Sequence, residues 1–171
     1  MAEDSEALLI RAKERLQSAA TLESVQEIVR TTARRLVSAH GATLVLRDGD
    51  LVYYADEDSM SPLWRGQRFP IGECISGWAM LHRESVVIPD IRTDDRIPQA
   101  AYRPTFVRSL IMVPIRIEDP LGAIGAYWAS MRRASGGEVE LLSQLAAAAG
   151  GAIEYVVRTA PSLPWAPTLS S

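Results

Sequence analysis

The chain has 171 residues, 47% hydrophobic and 23% charged, with 18 Lys+Arg against 21 Asp+Glu and a net charge of −3. These proportions fit one soluble globular domain, and the scattered, nearly balanced charge argues against a nucleic-acid-binding face, which would gather Lys and Arg together. A lone cysteine, Cys74, and two histidines, His40 and His82, exclude an intrachain disulfide and a Cys-rich zinc site.

The opening residues MAEDSEALLI are acidic and lack the basic start and apolar run of a signal peptide. No apolar stretch reaches the ~20 residues that span a bilayer, so the expectation is a cytoplasmic protein without membrane insertion. From Ser5 to Ala20, Leu9, Ala12, Leu16 and Ala19 recur at helical spacing and form one narrow stripe. A second helix starts at Thr21 or Ser24, with Ser24 and Glu27 read as a capping box, and ends at His40-Gly41. Its inner stripe is Val25, Ile28, Thr32 and Leu36.

The period then changes. Ala42–Arg47 and Leu51–Ala55 are β-type runs joined by Asp48-Gly49, a strong hairpin signal in which both residues are expected at positive φ. A short run Gln67–Ile71 precedes a helix over Ile75–His82, and Ser85–Ile91 reads as an edge strand because Pro89 sits near its end. Asp94–Val107 is a long connection with one or two helical turns. Ser109–Ile117 and Gly122–Ser130 form a second hairpin through Asp119-Pro120-Leu121-Gly122. The last helix runs from Gly137 to about Arg158, with Val139, Leu142, Ala146, Ala149, Ile153 and Val156 as a heptad-like seam. Pro161, Pro164 and Pro167 bar further helix beyond it. Two hairpins with helices before, between and after them predict an α+β domain with an antiparallel sheet.

Four segments in this order resemble the GAF domain family. They are Gly72-Glu73-Cys74-Ile75-Ser76-Gly77-Trp78-Ala79, Val87-Ile88-Pro89-Asp90-Ile91, Ser109-Leu110-Ile111-Met112-Val113-Pro114-Ile115 and Gly122-Ala123-Ile124-Gly125-Ala126-Tyr127-Trp128. Within that family the stretch Trp78–Trp128 most resembles sensor domains of bacterial two-component histidine kinases. The resemblance implies a PAS-related fold with a sheet of five or six antiparallel strands and helices on both faces. It further implies one sensory domain over 1–160, and the three prolines beyond it make 161–171 a Pro-rich flexible tail or linker. The implied function is binding of an unidentified small ligand, with the terminal helices forming a homodimer and passing the signal to a histidine kinase output domain or partner.

Around the cavity implied by the resemblance, the expected ligand-binding residues are Trp64, Cys74, Trp78, Asp90, Arg96, Tyr102, Phe106 and Ser109. Trp64, Tyr102 and Phe106 lie on long connections, where side chains are free to serve a ligand, while Trp78 and Trp128 also read as core. Asp90 and Arg96 read either as a polar pair on a pocket rim or as loop-capping residues. Cys74 is the one nucleophile to weigh, either as a redox centre or as a buried spectator. A second thiol for sulfoxide reduction is missing from the sequence, and the region where some relatives attach a bilin, Gln99–Val107, holds neither Cys nor His, so no covalent bilin is expected. His82 reads as a helix-end cation, with haem ligation the sharper alternative. No phosphate loop, GxSxG elbow, HExxH or calcium loop is present, so the expectation is a binding module and not an enzyme. A ligand-free dimerisation domain is the third reading.

Overall fold

In the computed structural model, which describes residues 4–159, strands and helices follow the hydrophobic period closely. The elements are α1 (Ser5–Gln17), α2 (Leu22–Leu36), β1 (Gly41–Asp48), β2 (Leu51–Ser59), β3 (Arg68–Pro70), α3 (Ile75–His82), β4 (Val86–Ile88), α4 (Gln99–Tyr102), β5 (Ser109–Ile115), β6 (Gly122–Trp128) and α5 (Gly136–Thr159). Six strands form one sheet in the order β3-β2-β1-β6-β5-β4, every neighbouring pair antiparallel. The α+β class, the six strands and the edge position of β4 agree with the sequence reading. The Pro-rich segment 161–171 lies outside the described residues.

The two hairpins sit side by side at the centre through β1 and β6, and each strand alternates between two cores. One core lies under α1, α2 and α5 and takes Leu44, Leu46, Ile111, Val113, Ile124 and Trp128 from the sheet. The other lies under α3, α4 and their connections and takes Val45, Val52, Tyr54, Leu110, Met112 and Tyr127. The seam expected on the last helix is spent inside the chain: Leu142, Ala146, Ala149, Ile153 and Val156 are all buried in the first core. Gly150 explains its place there, since a Cβ on it would stand 3.3 Å from the Ile115 side chain, whereas Gly151 faces open space.

Several boundaries differ from expectation, each for a local reason. The first hairpin turn is Gly49-Asp50, because Asp48 still pairs with Leu51; only Gly49 has positive φ there, at 62°. The cap of α2 is Thr21, whose side chain accepts from the Ser24 amide at 3.2 Å, so Ser24 is a recipient and not the cap. That helix ends at Leu36, before Ser38 turns to φ 50°, and Gly41 belongs to β1. The second hairpin carries a six-residue loop with Arg116 and Asp119 at positive φ in place of a four-residue turn. At the other end of the chain, Ser135 and Glu138 cap α5 reciprocally: the Ser135 hydroxyl accepts from the Glu138 amide at 3.1 Å and the Glu138 carboxylate from the Ser135 amide at 2.9 Å.

Strand β2 contains a bulge. Leu44 faces Asp56 but Val45 faces Tyr54, leaving Ala55 as the extra residue. Ala55 and Asp56 therefore both turn to the helix side, where Arg30 of α2 donates to Asp56 at 2.8 Å and Arg34 to Asp58 at 3.0 Å. Glu57 consequently returns to the opposite side.

Candidate functional site

On the α3/α4 side of the sheet, four rings gather about a fifth, Trp64, which comes from the β2–β3 connection. Its ring centroid lies 5.4 Å from Tyr54, 4.6 Å from Tyr102 and 5.5 Å from Tyr127, and Phe69 packs edge-on against Tyr54 at 5.6 Å. Edge-to-face and tilted contacts of this kind are favourable beyond the area they bury. The Trp64 indole N–H donates to the Ala101 carbonyl at 3.0 Å, tying the β2–β3 connection to α4. What holds Trp64 in place is Glu57. Its carboxylate, on a residue 8% exposed, accepts from the amides of Leu63, Trp64 and Arg65 at 2.9, 2.9 and 2.8 Å. Three backbone donors on one carboxylate satisfy a charge that would otherwise be costly to bury.

The hydroxyls of this cluster are unequal. Tyr54 meets Ser76 at 3.2 Å and Tyr127 meets Thr43 at 2.8 Å. Gly125 gives the latter pair its room, for a Cβ there would stand 2.4 Å from the Tyr127 oxygen. The Tyr102 hydroxyl, on a side chain 3% exposed, has no hydrogen-bond partner among the described residues. Burial pushes all three phenols above their ordinary range, and the neighbouring acidic groups add to the effect.

Between the rings remains a cavity of about 10 Å³, lined by Tyr54, Trp64, Phe69, Cys74, Pro98, Ala101 and Tyr102. Outside it lies a cleft of about 280 Å³ that shares Cys74 and Pro98 as a wall and is rimmed by Glu73, Trp78, His82, Asp95 and Arg96. Cys74 is 6% exposed, with its sulfur 3.4 Å from the Ser76 hydroxyl and 3.6 Å from the Pro70 carbonyl. Burial raises the thiol, with the Ser76 hydrogen bond opposing, so the thiolate is disfavoured despite the helix that follows. Behind Cys74, α3 sits so close to the preceding 3-10 turn that a Cβ on Gly77 would reach 1.7 Å from the Ile71 carbonyl.

The expected site residues divide into three groups. Trp64, Cys74 and Tyr102 meet at the inner cavity. Trp78 and Arg96 belong to the outer cleft, where the guanidinium lies 4.5 Å over the Trp78 ring and His82 stacks on it at 4.0 Å. Arg96 also bonds Asp94 at 2.9 and 2.6 Å, and this holds the Asp94 carboxyl below its ordinary range. Asp90, Phe106 and Ser109 lie apart. Asp90 accepts from the Arg92 amide at 3.1 Å and faces Arg108, not Arg96. Phe106 meets His40 edge-on, and Ser109 donates to the Ser130 carbonyl at 2.7 Å. Sequence reasoning missed Tyr54, Tyr127 and Glu57. Strand alternation from Val52 and from Trp128 would have placed the two tyrosines; nothing in the run Asp56-Glu57-Asp58 sets the buried acid apart.

A larger groove, of about 1000 Å³, opens on the other side of the sheet between α1 and α5, with Leu9, Ile10, Lys13, Trp128, Arg132 and Leu141 in its walls. Trp128 donates to the Ser38 carbonyl at 3.2 Å, and Arg132 lies 4.2 Å over its ring while bonding Glu138 at the α5 cap. Among the described residues no three His, Cys, Asp or Glu side chains are placed to hold a metal ion, and no helix is long and apolar enough to cross a membrane.

The family model described as GAF domain matches residues 19–154. No curated protein matches the chain. Among solved structures, the GAF domain of an Acinetobacter phosphoenolpyruvate-protein phosphotransferase is 16% identical with a TM-score of 0.77, covering 91% of this chain and 96% of that one. The free methionine-R-sulfoxide reductase of Neisseria meningitidis, solved with its substrate, is 17% identical with a TM-score of 0.78, covering 92% and 95%. The chromophore-binding domain of a bacteriophytochrome, RpBphP3 from R. palustris, is 16% identical with a TM-score of 0.74, covering 90% of this chain and 62% of that one. At these identities the likeness concerns the fold.

Proposed function

The chain belongs to the GAF domain family, and from that premise we propose that it is a sensory module of bacterial two-component signalling. In this reading a small ligand held among the aromatic residues changes the setting of the terminal helices, which pair with a second copy and act on a histidine kinase output domain. One observation carries the reading. Tyr127 and Trp128 are consecutive on β6 and face opposite cores: Tyr127 packs on Trp64, while Trp128 supports Arg132 and the capping box of α5. A shift of the ring cluster is thereby transmitted across the sheet by one peptide unit. Such coupling requires that the ligand favour one of two helix arrangements.

The outer faces of α1 and α5 supply the pairing surface of this proposal. Ile10 and Tyr155 are 56% and 57% exposed there, beside the half-buried Leu141 and Ala148. The raised, buried thiol of Cys74 weighs against redox chemistry. A second reading, a ligand-free dimerisation domain, is favoured by the small volume left between the rings.

The test is fluorine NMR on protein labelled with 5-fluorotryptophan, screened against small metabolites. The sensory reading expects Trp64 and Trp128 resonances to move together on binding, and Tyr127→Ala to leave only the Trp64 response. Movement of Trp64 with Trp128 fixed in the unsubstituted protein sinks the coupling. Silence of both across the screen, in a protein that is dimeric by native mass spectrometry, supports the second reading.

A further inference from the structure

We infer that the ligand of the aromatic pocket is an uncharged ring compound whose acceptor oxygen meets the Tyr102 hydroxyl. The inference rests on the reading of this pocket as the ligand site and specifies its chemistry from the residues that line it.

The ring is required by the walls. Tyr54, Trp64, Phe69 and Tyr102 present aromatic surface, and the remaining lining comes from Cys74, Pro98 and Ala101. The absence of charge follows from what the pocket offers. Neither Lys nor Arg is in its lining, and Arg96 on the rim of the adjoining cleft is already paired with Asp94, so an anion entering it would shed its water without gaining a free counter-ion. A cation fares no better, because the nearby carboxylate, Glu57, is already committed to three amides behind Trp64. The phenols and the thiol around the cavity ordinarily titrate above neutrality, and burial raises them further, so none of them supplies a charge at neutral pH.

The acceptor oxygen follows from hydrogen-bond bookkeeping. The Tyr54 and Tyr127 hydroxyls have Ser76 and Thr43, and the Trp64 indole N–H has the Ala101 carbonyl. Among the described residues of the cluster, Tyr102 alone is buried with its hydroxyl open, and buried hydroxyls ordinarily find a partner. The present cavity, about 10 Å³, is the space of a single water. A ring is admitted by moving the wall that the cavity shares with the 280 Å³ cleft, formed by Cys74 and Pro98. Pro98 stands on that wall at the head of the four-residue α4, its carbonyl accepting from the Ala101 and Tyr102 amides at 2.9 and 3.3 Å, so a ring enters by displacing this short turn as a unit.

Four probes of similar size separate these terms: acetophenone, with ring and acceptor; ethylbenzene, with ring alone; benzoate, an anion; and phenyltrimethylammonium, a cation. Binding is followed by calorimetry and by the 5-fluorotryptophan resonance of Trp64. Acetophenone is expected to bind and shift Trp64, with both ions at least about tenfold weaker. Tyr102→Phe, which removes only the unpartnered oxygen, is expected to weaken acetophenone about fivefold, the worth of one neutral hydrogen bond, and to leave ethylbenzene within about twofold. Either ion binding at Trp64 as tightly as acetophenone overturns the uncharged class while leaving the pocket a ligand site. Equal losses for acetophenone and ethylbenzene in Tyr102→Phe overturn the role of its hydroxyl. If no probe moves Trp64, the pocket takes no ring, and both this inference and the ligand reading beneath it fall. The four-probe comparison on the unsubstituted protein decides the charge question whatever the variant does.

Discussion

The two faces of one sheet are stabilised in different ways. Under α1, α2 and α5 the core is aliphatic and alanine-rich, with close helix packing and Arg–Asp pairs at its edge. Under α3 and α4 it is aromatic, threaded with hydroxyls, and closed by connections more than by regular elements. The difference teaches where specificity resides. Aliphatic packing tolerates shape changes of similar volume, whereas a buried polar network depends on each of its hydrogen bonds. The helix face is suited to hold or transmit a shape, and the aromatic face to recognise one.

If that contrast is right, the aromatic face fails when one acid is removed. Glu57→Ala strips the acceptor from three amides of the β2–β3 connection, two of them at the buried residues Leu63 and Trp64. Leaving buried donors unsatisfied costs about 1–3 kcal/mol each, so a loss of about 2–6 kcal/mol in chemical denaturation is expected, with a change in Trp64 emission. Glu57→Gln keeps one acceptor oxygen and should lose about half as much. An unchanged denaturation midpoint in Glu57→Ala would show that the connection is held by ring packing alone.

Alkaline pH should reach the two faces in order. The raised acids Cys74, Tyr54, Tyr102 and Tyr127 all belong to the aromatic core, whereas among the described residues the helix-side core has, of these two residue types, only the partly buried Tyr53 packed against it. Their folded values exceed the unfolded ones, so their contribution is complete below the ordinary values, 9.0 for Cys74 and 10.0 for the tyrosines. It is lost as pH rises toward the folded values, because the unfolded chain then gives up protons that the folded one retains. The measurement is clean because the chain has a single lysine, Lys13, and arginines keep their charge. Between about pH 8 and about pH 11, melting temperature should fall, and the aromatic circular dichroism signal should decay before the helical one. Simultaneous loss of both signals would mean that the two cores open as one.

The helix face was legible in the sequence and the aromatic face only partly so. Leu9, Ala12 and Leu16 on α1, and Val25, Ile28 and Leu36 on α2, are buried where their spacing puts them, since 3.6-residue periodicity survives any choice of partner. The edge position of β4 was readable from Pro89, and Ile75–His82 matched α3 to the residue. The aromatic cluster is assembled from separate strands and connections, so local pattern identified Trp64 and Tyr102 as candidates but not Tyr54 and Tyr127 as their neighbours. The reciprocal cap at Ser135 and Glu138 carries the S-x-x-E spacing, but Gly136 and Gly137, poor helix formers, stand between the two and weaken the local helical signal at its start. Glu57 escaped notice because a bulge, which no propensity announces, decides which face of β2 its acids occupy.

The same bulge gives the smallest and most discriminating expectation. With Ala55 and Asp56 both on the helix side, deletion of Ala55 turns β2 into a regular strand and leaves every other residue on its present face. Asp56 and Asp58 keep Arg30 and Arg34, and Glu57 keeps its three amides. The expected loss is about 1 kcal/mol, for a half-buried methyl and the local twist, without the change in Trp64 emission expected of Glu57→Ala. A deletion usually ruins a strand by reversing its faces, so near-tolerance here would be informative. A loss as large as that of Glu57→Ala, with the same spectral change, would show instead that the extra residue supplies the curvature that brings Glu57 under the connection. The acid would then be buried by the shape of β2, and not by the parity of its residues.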